Sequence, residues 1–213
     1  MHPLIESKGL GRREAMKRFA YITSAVSSLA LFDGLSPEAI FATGREIHSH
    51  LLPQGGLETP QQPLLLFKPQ QNATLIVLSE LIIPETRTPG AKTARVNEFI
   101  DVFLASRPKA DQDEFINGLE WLDRRSLELY GKGFADSAPE QQRDLLTRLS
   151  RVDSTEGQEG KRFFELAKTL TVVGYYTSKV GIEDELKFDG WIEYKGCTHP
   201  EHRHPLDSGE AVK

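Results

Sequence analysis

The chain has 213 residues and a formal net charge of -5 at pH 7, a length whose default is one domain with a proper core. Residues 1–32 carry five bases (Lys8, Arg12, Arg13, Lys17, Arg18) against two acids (Glu6, Glu14), a charge of +3 that leaves -8 on the rest; an acidic body without a basic face argues against nucleic acid as a partner. The single cysteine, Cys197, excludes an internal disulfide framework and points to an intermolecular bond or a free thiol.

The segment Gly11-Arg12-Arg13-Glu14-Ala15-Met16-Lys17 precedes an uncharged run of small and apolar residues at 19–32. Two adjacent arginines ahead of a short apolar run resemble a twin-arginine export leader, an address read by a translocase. Arg12, Arg13 and Lys17 match that pattern and Met16 substitutes in it, whereas Gly11 and Ala15 depart from it. The alternative is a cytosolic amphipathic first helix with Arg12, Arg13, Lys17 and Arg18 on a solvated face. Such a helix needs a polar stripe recurring every three or four residues, which the uncharged run does not supply. The run falls short of the roughly 20 apolar residues that span a bilayer, and it contains Thr23, Ser24, Ser27 and Ser28. The segment therefore reads as a leader; no convincing small-x-small cleavage site stands out in it, Ser28-Leu29-Ala30 being the best candidate, and both a removed and a retained leader stay open. Cargo of this route crosses the membrane folded and often already loaded with a cofactor.

Ser36-Pro37-Glu38 reads as an N-cap followed by proline at the first helical position, opening a short helix to about His48. Residues 53–71 collect Pro53, Gly55, Gly56, Pro60, Pro63 and Pro69 among several glutamines, a linker or wrapping arm. Its apolar island Leu64-Leu65-Leu66-Phe67 is expected to dock on something, because such a patch in water is a liability. From Asn72 the pattern is helical, with Leu75, Leu78 and Leu81/Ile82 on one stripe ending at Pro84. After a turn rich in breakers at 84–90, a helix is expected over 94–105 with Val96, Phe99, Ile100 and Phe103 at helical spacing.

Pro108 opens the next helix, with Phe115, Leu119, Leu122 and Leu129/Tyr130 inward and Gly131 as the left-handed cap. Ser137-Ala138-Pro139-Glu140 has capping-box spacing and introduces a helix carrying Leu145, Leu146 and Leu149. Residues 153–160 read as a polar loop. Residues 161–180 then form a helix apolar on more than one face, a central or interface helix. With no sustained alternation of period two, the expectation is an all-α, single-domain bundle of about five or six helices after the leader. Four segments result: the leader 1–32, a short helix and Pro/Gln-rich arm 33–71, a helical domain 72–190 and a Cys/His-containing tail 191–213.

Catalytic constellations are absent from the sequence. No glycine-rich phosphate loop, haem-attachment motif or iron–sulfur cysteine set occurs, so no cofactor and no catalytic residue is assigned to this chain. His48 and His50 lie about 200° apart on a helix and cannot share an ion; each reads as a solvated histidine. The cluster Cys197-Thr198-His199-Pro200-Glu201-His202-Arg203-His204 brings Cys197, His199, His202 and His204 together, ligand types suited to zinc, copper or iron. Structural zinc sites draw on two separated pairs, so the cluster is only a weak metal candidate and reads first as a docking tail or solvated terminus. Asp111/Asp113/Glu114 and Glu183/Asp184/Glu185 read as helix starts, where acids favour the dipole.

The stretch Leu78-Ser79-Glu80-Leu81-Ile82-Ile83-Pro84-Glu85-Thr86-Arg87-Thr88-Pro89-Gly90-Ala91 resembles the hallmark of the gluconate 2-dehydrogenase subunit 3 family, a helix ending in Ile-Ile-Pro that runs into Thr-x-Thr-Pro-Gly-Ala. Similar downstream features are Val96-Asn97-Glu98-Phe99-Ile100-Asp101, Tyr130-Gly131 with Phe134, Gly174-Tyr175-Tyr176-Thr177-Ser178 with Gly181, and Tyr194-Lys195-Gly196-Cys197. One departure is Arg87, where the family usually has an acid. The resemblance implies a small non-catalytic subunit of a membrane-associated dehydrogenase. Its large flavin-dependent partner would hold FAD and oxidise a sugar or polyol, and a cytochrome c subunit would pass electrons onward. It also implies a periplasmic location, peripheral to the inner membrane, with this chain carrying the export signal for its partner. Partner contact is then expected at Ile83, Pro84, Thr86, Arg87, Thr88, Pro89, Gly90, Tyr175 and Tyr176 and at the apolar island. The rival reading is an independent periplasmic metal-binding helical protein built on the cluster at 197–204.

Overall fold

Proline or glycine stands at most of the helix starts in this chain, at Pro37, Pro69, Pro108, Pro139 and Gly157, and Gly131 ends one helix. The computed structural model describes residues 37–51, 63–151 and 156–187. Within them lie α1 (Pro37–Leu51), α2 (Pro69–Ile82), α3 (Val96–Ala105), α4 (Lys109–Tyr130), α5 (Pro139–Ser150) and α6 (Gly157–Thr177). A 3-10 turn (Phe134–Asp136) joins α4 to α5, and a π-helical turn (Val180–Glu185) follows α6. The described residues contain no strand, and the expected all-α bundle is what forms.

Helix α4 ends as its sequence dictates. Gly131 takes φ 74, the left-handed region that a Cβ disfavours, and its N–H donates to Leu127 O at 2.9 Å. Helix α2 begins three residues before the expected Asn72, with Pro69 in its first turn. There the Gln71 side chain reaches back to accept the Lys68 N–H at 2.9 Å, satisfying a donor the helix leaves orphaned. At α5 the expected capping box at Ser137 is corrected. The Ser137 hydroxyl donates to Gly133 O and meets Ser126 Oγ, both at 2.9 Å, while Gln141 accepts the Ala138 N–H at 3.0 Å.

Helix α6 occupies the centre and packs against α1, α2, α3, α4 and α5. Phe163, Phe164, Leu166, Leu170, Val173 and Tyr175 are buried along it, so the expectation of an apolar circumference holds. Its bounds differ from the expected 161–180. It starts at Gly157, inside the expected polar loop, and stops at Thr177. The Ser178 hydroxyl ends it by donating to Tyr175 O at 2.6 Å and accepting the Gly181 N–H at 3.1 Å. A Cβ at Gly181 would collide with Tyr175 O, so only glycine permits this reversal. Glu183, Asp184 and Glu185 lie exposed on this six-residue π-helical turn, with Glu183 in its first turn.

The apolar island docks on the chain's own core. Phe67 is buried against Phe115, ring centroids 5.7 Å apart, and Phe115 meets Phe163 edge-on at 5.5 Å. The buried carboxylate of Asp101 on α3 fixes the island's backbone, accepting the N–H groups of Leu65 (2.6 Å), Leu66 (3.0 Å) and Phe67 (2.9 Å). Leu65 alone is left 66% exposed.

The expectation of a solvated His48 is corrected. Its ring is 6% exposed, stacks on Phe99 with centroids 5.1 Å apart, and donates from Nε2 to Gly174 O at 2.7 Å. Burial first, then the charges of Arg45 and Arg95, lower its pKa to about 4, against the raising effect of the Gly174 bond. Ile40, Gly44 and His48 recur every four residues, the spacing of one helix face. A Cβ at Gly44 would lie 2.5 Å from Thr177 Cγ2, so this face seats α1 tightly on α6.

Candidate functional site

The 84–90 loop is organised around one carboxylate. Glu80 stands in the last turn of α2, where the negative end of the helix dipole disfavours an acid. Its two oxygens instead accept backbone donors from the loop beyond, Glu85 N–H on Oε1 and Lys92 N–H on Oε2, both at 2.8 Å. Gly90 is buried beneath this arrangement, and a Cβ there would collide with Glu80 Oε1 and lie 2.5 Å from Glu85 N. Ala91 N–H donates to Ile83 O at 2.9 Å and closes the loop at its base; Thr86 N–H donates to Thr88 O at 3.0 Å across its tip.

The end of α6 holds the loop from the other side. Tyr175 is buried within the chain, and its hydroxyl donates to Pro89 O at 2.8 Å. The Thr88 hydroxyl donates to Glu185 on the π-helical turn at 2.7 Å. Burial raises the pKa of Tyr175, and burial together with Glu185 raises that of half-buried Tyr176, so both phenols remain protonated donors at neutral pH. The two rings meet edge-on at 5.2 Å.

The structure thus brings Ile83, Pro84, Thr86, Arg87, Thr88, Pro89, Gly90, Tyr175 and Tyr176 into one neighbourhood. Ile83, Thr88, Pro89 and Tyr176 are half-buried, Gly90 and Tyr175 are buried, and Pro84, Thr86 and Arg87 are exposed. Two residues in this part of the fold escaped the sequence reading. Glu80 had one usable signal, an acid placed against the helix dipole; Asp101 had none, since its role appears only when the island folds onto α3.

The export-signal residues Arg12, Arg13 and Lys17, and the cluster Cys197, His199, His202 and His204, lie outside the described residues. Among the described residues no group of three or more His, Cys, Asp or Glu side chains is placed to hold a metal ion, and no helix is long and apolar enough to cross a membrane. A cleft of about 240 Å³ opens between α1 and the π-helical turn, lined in part by Arg45, His48, Lys179 and Glu183.

A model of the family described as gluconate 2-dehydrogenase subunit 3 matches residues 69–196, more than half of the chain. This chain belongs to the gluconate 2-dehydrogenase subunit 3 family. The match begins at the first residue of α2 and contains the Glu80-centred loop, α6 and the π-helical turn. Membership supports an accessory subunit of a dehydrogenase complex and implies a catalytic partner. Neither the curated proteins nor the solved structures include a significant match. Helix α1, pinned by His48, lies outside the family match.

Proposed function

We propose that this chain is the non-catalytic small subunit of a periplasmic, flavin-dependent sugar or polyol dehydrogenase of the gluconate 2-dehydrogenase type. It supports maturation of the catalytic subunit and its export by the twin-arginine translocase. The observation that carries the reading is the family match across the whole helical core from α2 onward. The leader-like Arg12-Arg13 pair adds to it: a route that carries folded cargo suits a chain whose partner is exported with it. On this reading FAD belongs to the catalytic subunit, a cytochrome c subunit receives the electrons, and the complex sits at the periplasmic face of the inner membrane.

The test is a strain in which this chain carries Arg12→Lys and Arg13→Lys. The flavoprotein is expected to stay in the cytoplasm, with periplasmic dehydrogenase activity lost. Undiminished periplasmic activity rejects the export role. Elemental analysis of the dialysed chain separates this reading from an independent metal-binding protein built on Cys197, His199, His202 and His204: stoichiometric metal favours the latter.

A further inference from the structure

We infer that the 84–90 loop is a preorganised docking element for the catalytic subunit, with Arg87 as its anchor against a carboxylate on that subunit. The inference rests on the subunit reading above and adds to it the surface and the chemistry of contact.

The loop is exposed at its tip yet fixed from both ends. Glu80 takes two of its flanking backbone donors, Tyr175 holds the Pro89 carbonyl, Glu185 holds the Thr88 hydroxyl and the tip closes on itself between Thr86 and Thr88. Each of these bonds joins the loop to the chain itself, to α2, α6, the π-helical turn or its own tip. None uses the side chains of Pro84, Thr86 or Arg87, which remain in solvent. Fixing a surface loop this thoroughly removes the ordering penalty that a mobile loop meets on association. Rigidly presented loops are also where binding residues concentrate.

Half-buried Leu81, Ile82 and Ile83, packed on the core by their inner sides, lead into a tip on which Pro84, Glu85, Thr86 and Arg87 are exposed. Among the described residues Arg87 has no ion-pair partner. A guanidinium offers five donors in a planar fork that matches a carboxylate in two-point contact, and arginine is enriched among residues that dominate association. The partner surface that fits is an apolar patch beside an aspartate or glutamate.

The full-length chain, co-expressed with the flavin-dependent catalytic subunit from the same genome, supplies the test through affinity and co-purification. Arg87→Glu is expected to weaken association at least about tenfold and to reduce its dependence on salt, while the thermal midpoint of the chain alone stays unchanged because the side chain is exposed. Tyr175→Phe removes one hydroxyl and is expected to weaken association about threefold by loosening the loop, with faster amide exchange at Thr86. If the wild-type chain fails to associate with the flavoprotein, the subunit reading falls and this inference with it. If the wild type associates and both variants bind within twofold of it, the inference alone is overturned. Arg87→Glu acting on self-association of the isolated chain, with flavoprotein binding intact, also overturns it.

Discussion

Glu80 and Gly90 compete for one volume, since the Glu80 carboxylate fills the space that a Cβ at Gly90 would need. The consequence is that position 90 is constrained by contact and not by backbone angle. Gly90→Ala is expected to lower stability by about 1–3 kcal/mol, read as a shifted urea midpoint at constant slope. It should also abolish amide protection at Glu85 and Lys92, the two donors held by Glu80. Gly131→Ala is the control. There φ is 74 and no atom lies within 4 Å of the added methyl, so a conformational penalty of about 1–2 kcal/mol should leave Glu85 and Lys92 protected. Equal loss of protection in both variants contradicts the assignment of Glu80 as the centre of the loop.

Asp101 holds three consecutive backbone donors, and an amide cannot replace it. Asp101→Asn substitutes a donor for one of the two accepting oxygens, leaving at least one of the Leu65, Leu66 and Phe67 N–H groups without a partner. An unsatisfied buried donor costs about 1–3 kcal/mol. The expected outcome is a loss of that size, with accelerated amide exchange confined to the island and to Phe115, against which Phe67 packs. Global acceleration across α4 and α6 would mean that Asp101 supports the whole core and not the island alone.

The parts of this fold legible in the sequence are those governed by local rules. Gly131 at the end of α4, Pro139 at the start of α5 and the stripe Val96, Phe99, Ile100, Phe103 each follow from one residue's backbone or from helical spacing. The residues that escaped depend on which atoms the folded backbone brings beside them. Ser137 has capping spacing, but its hydroxyl is drawn away by Gly133 and Ser126. Glu183/Asp184/Glu185 read as a helix start, and Gly181 lets the chain turn back on Tyr175 so that the element formed there is a short π-helical turn. The loop at 84–90 is recognisable as a motif, but its organising acid lies in the helix before it. No rule of spacing connects Glu80 to Lys92, twelve residues away.

His48 gives the chain a stability that depends on pH with a definite sign. Its folded pKa is lowered to about 4 from the ordinary 6.5, so between those values the unfolded chain binds a proton that the native chain does not. Stability therefore rises with pH through this window and is lost as pH falls from about 7 toward 4. At about 1.4 kcal/mol per unit, the loss attributable to this histidine reaches about 3 kcal/mol at the acid end. The cause is that protonation places a charge in a buried site that desolvates it, while Arg45 and Arg95 oppose it further. His48→Gln keeps a donor for Gly174 O and removes the titration. Urea denaturation of both proteins at pH 7.5, 6 and 5 isolates the effect from that of the carboxylates, which the two share. Wild type is expected to lose about 2 kcal/mol more than the variant by pH 5. Parallel losses in the two proteins would show that His48 is already charged, or exposed, in the native fold.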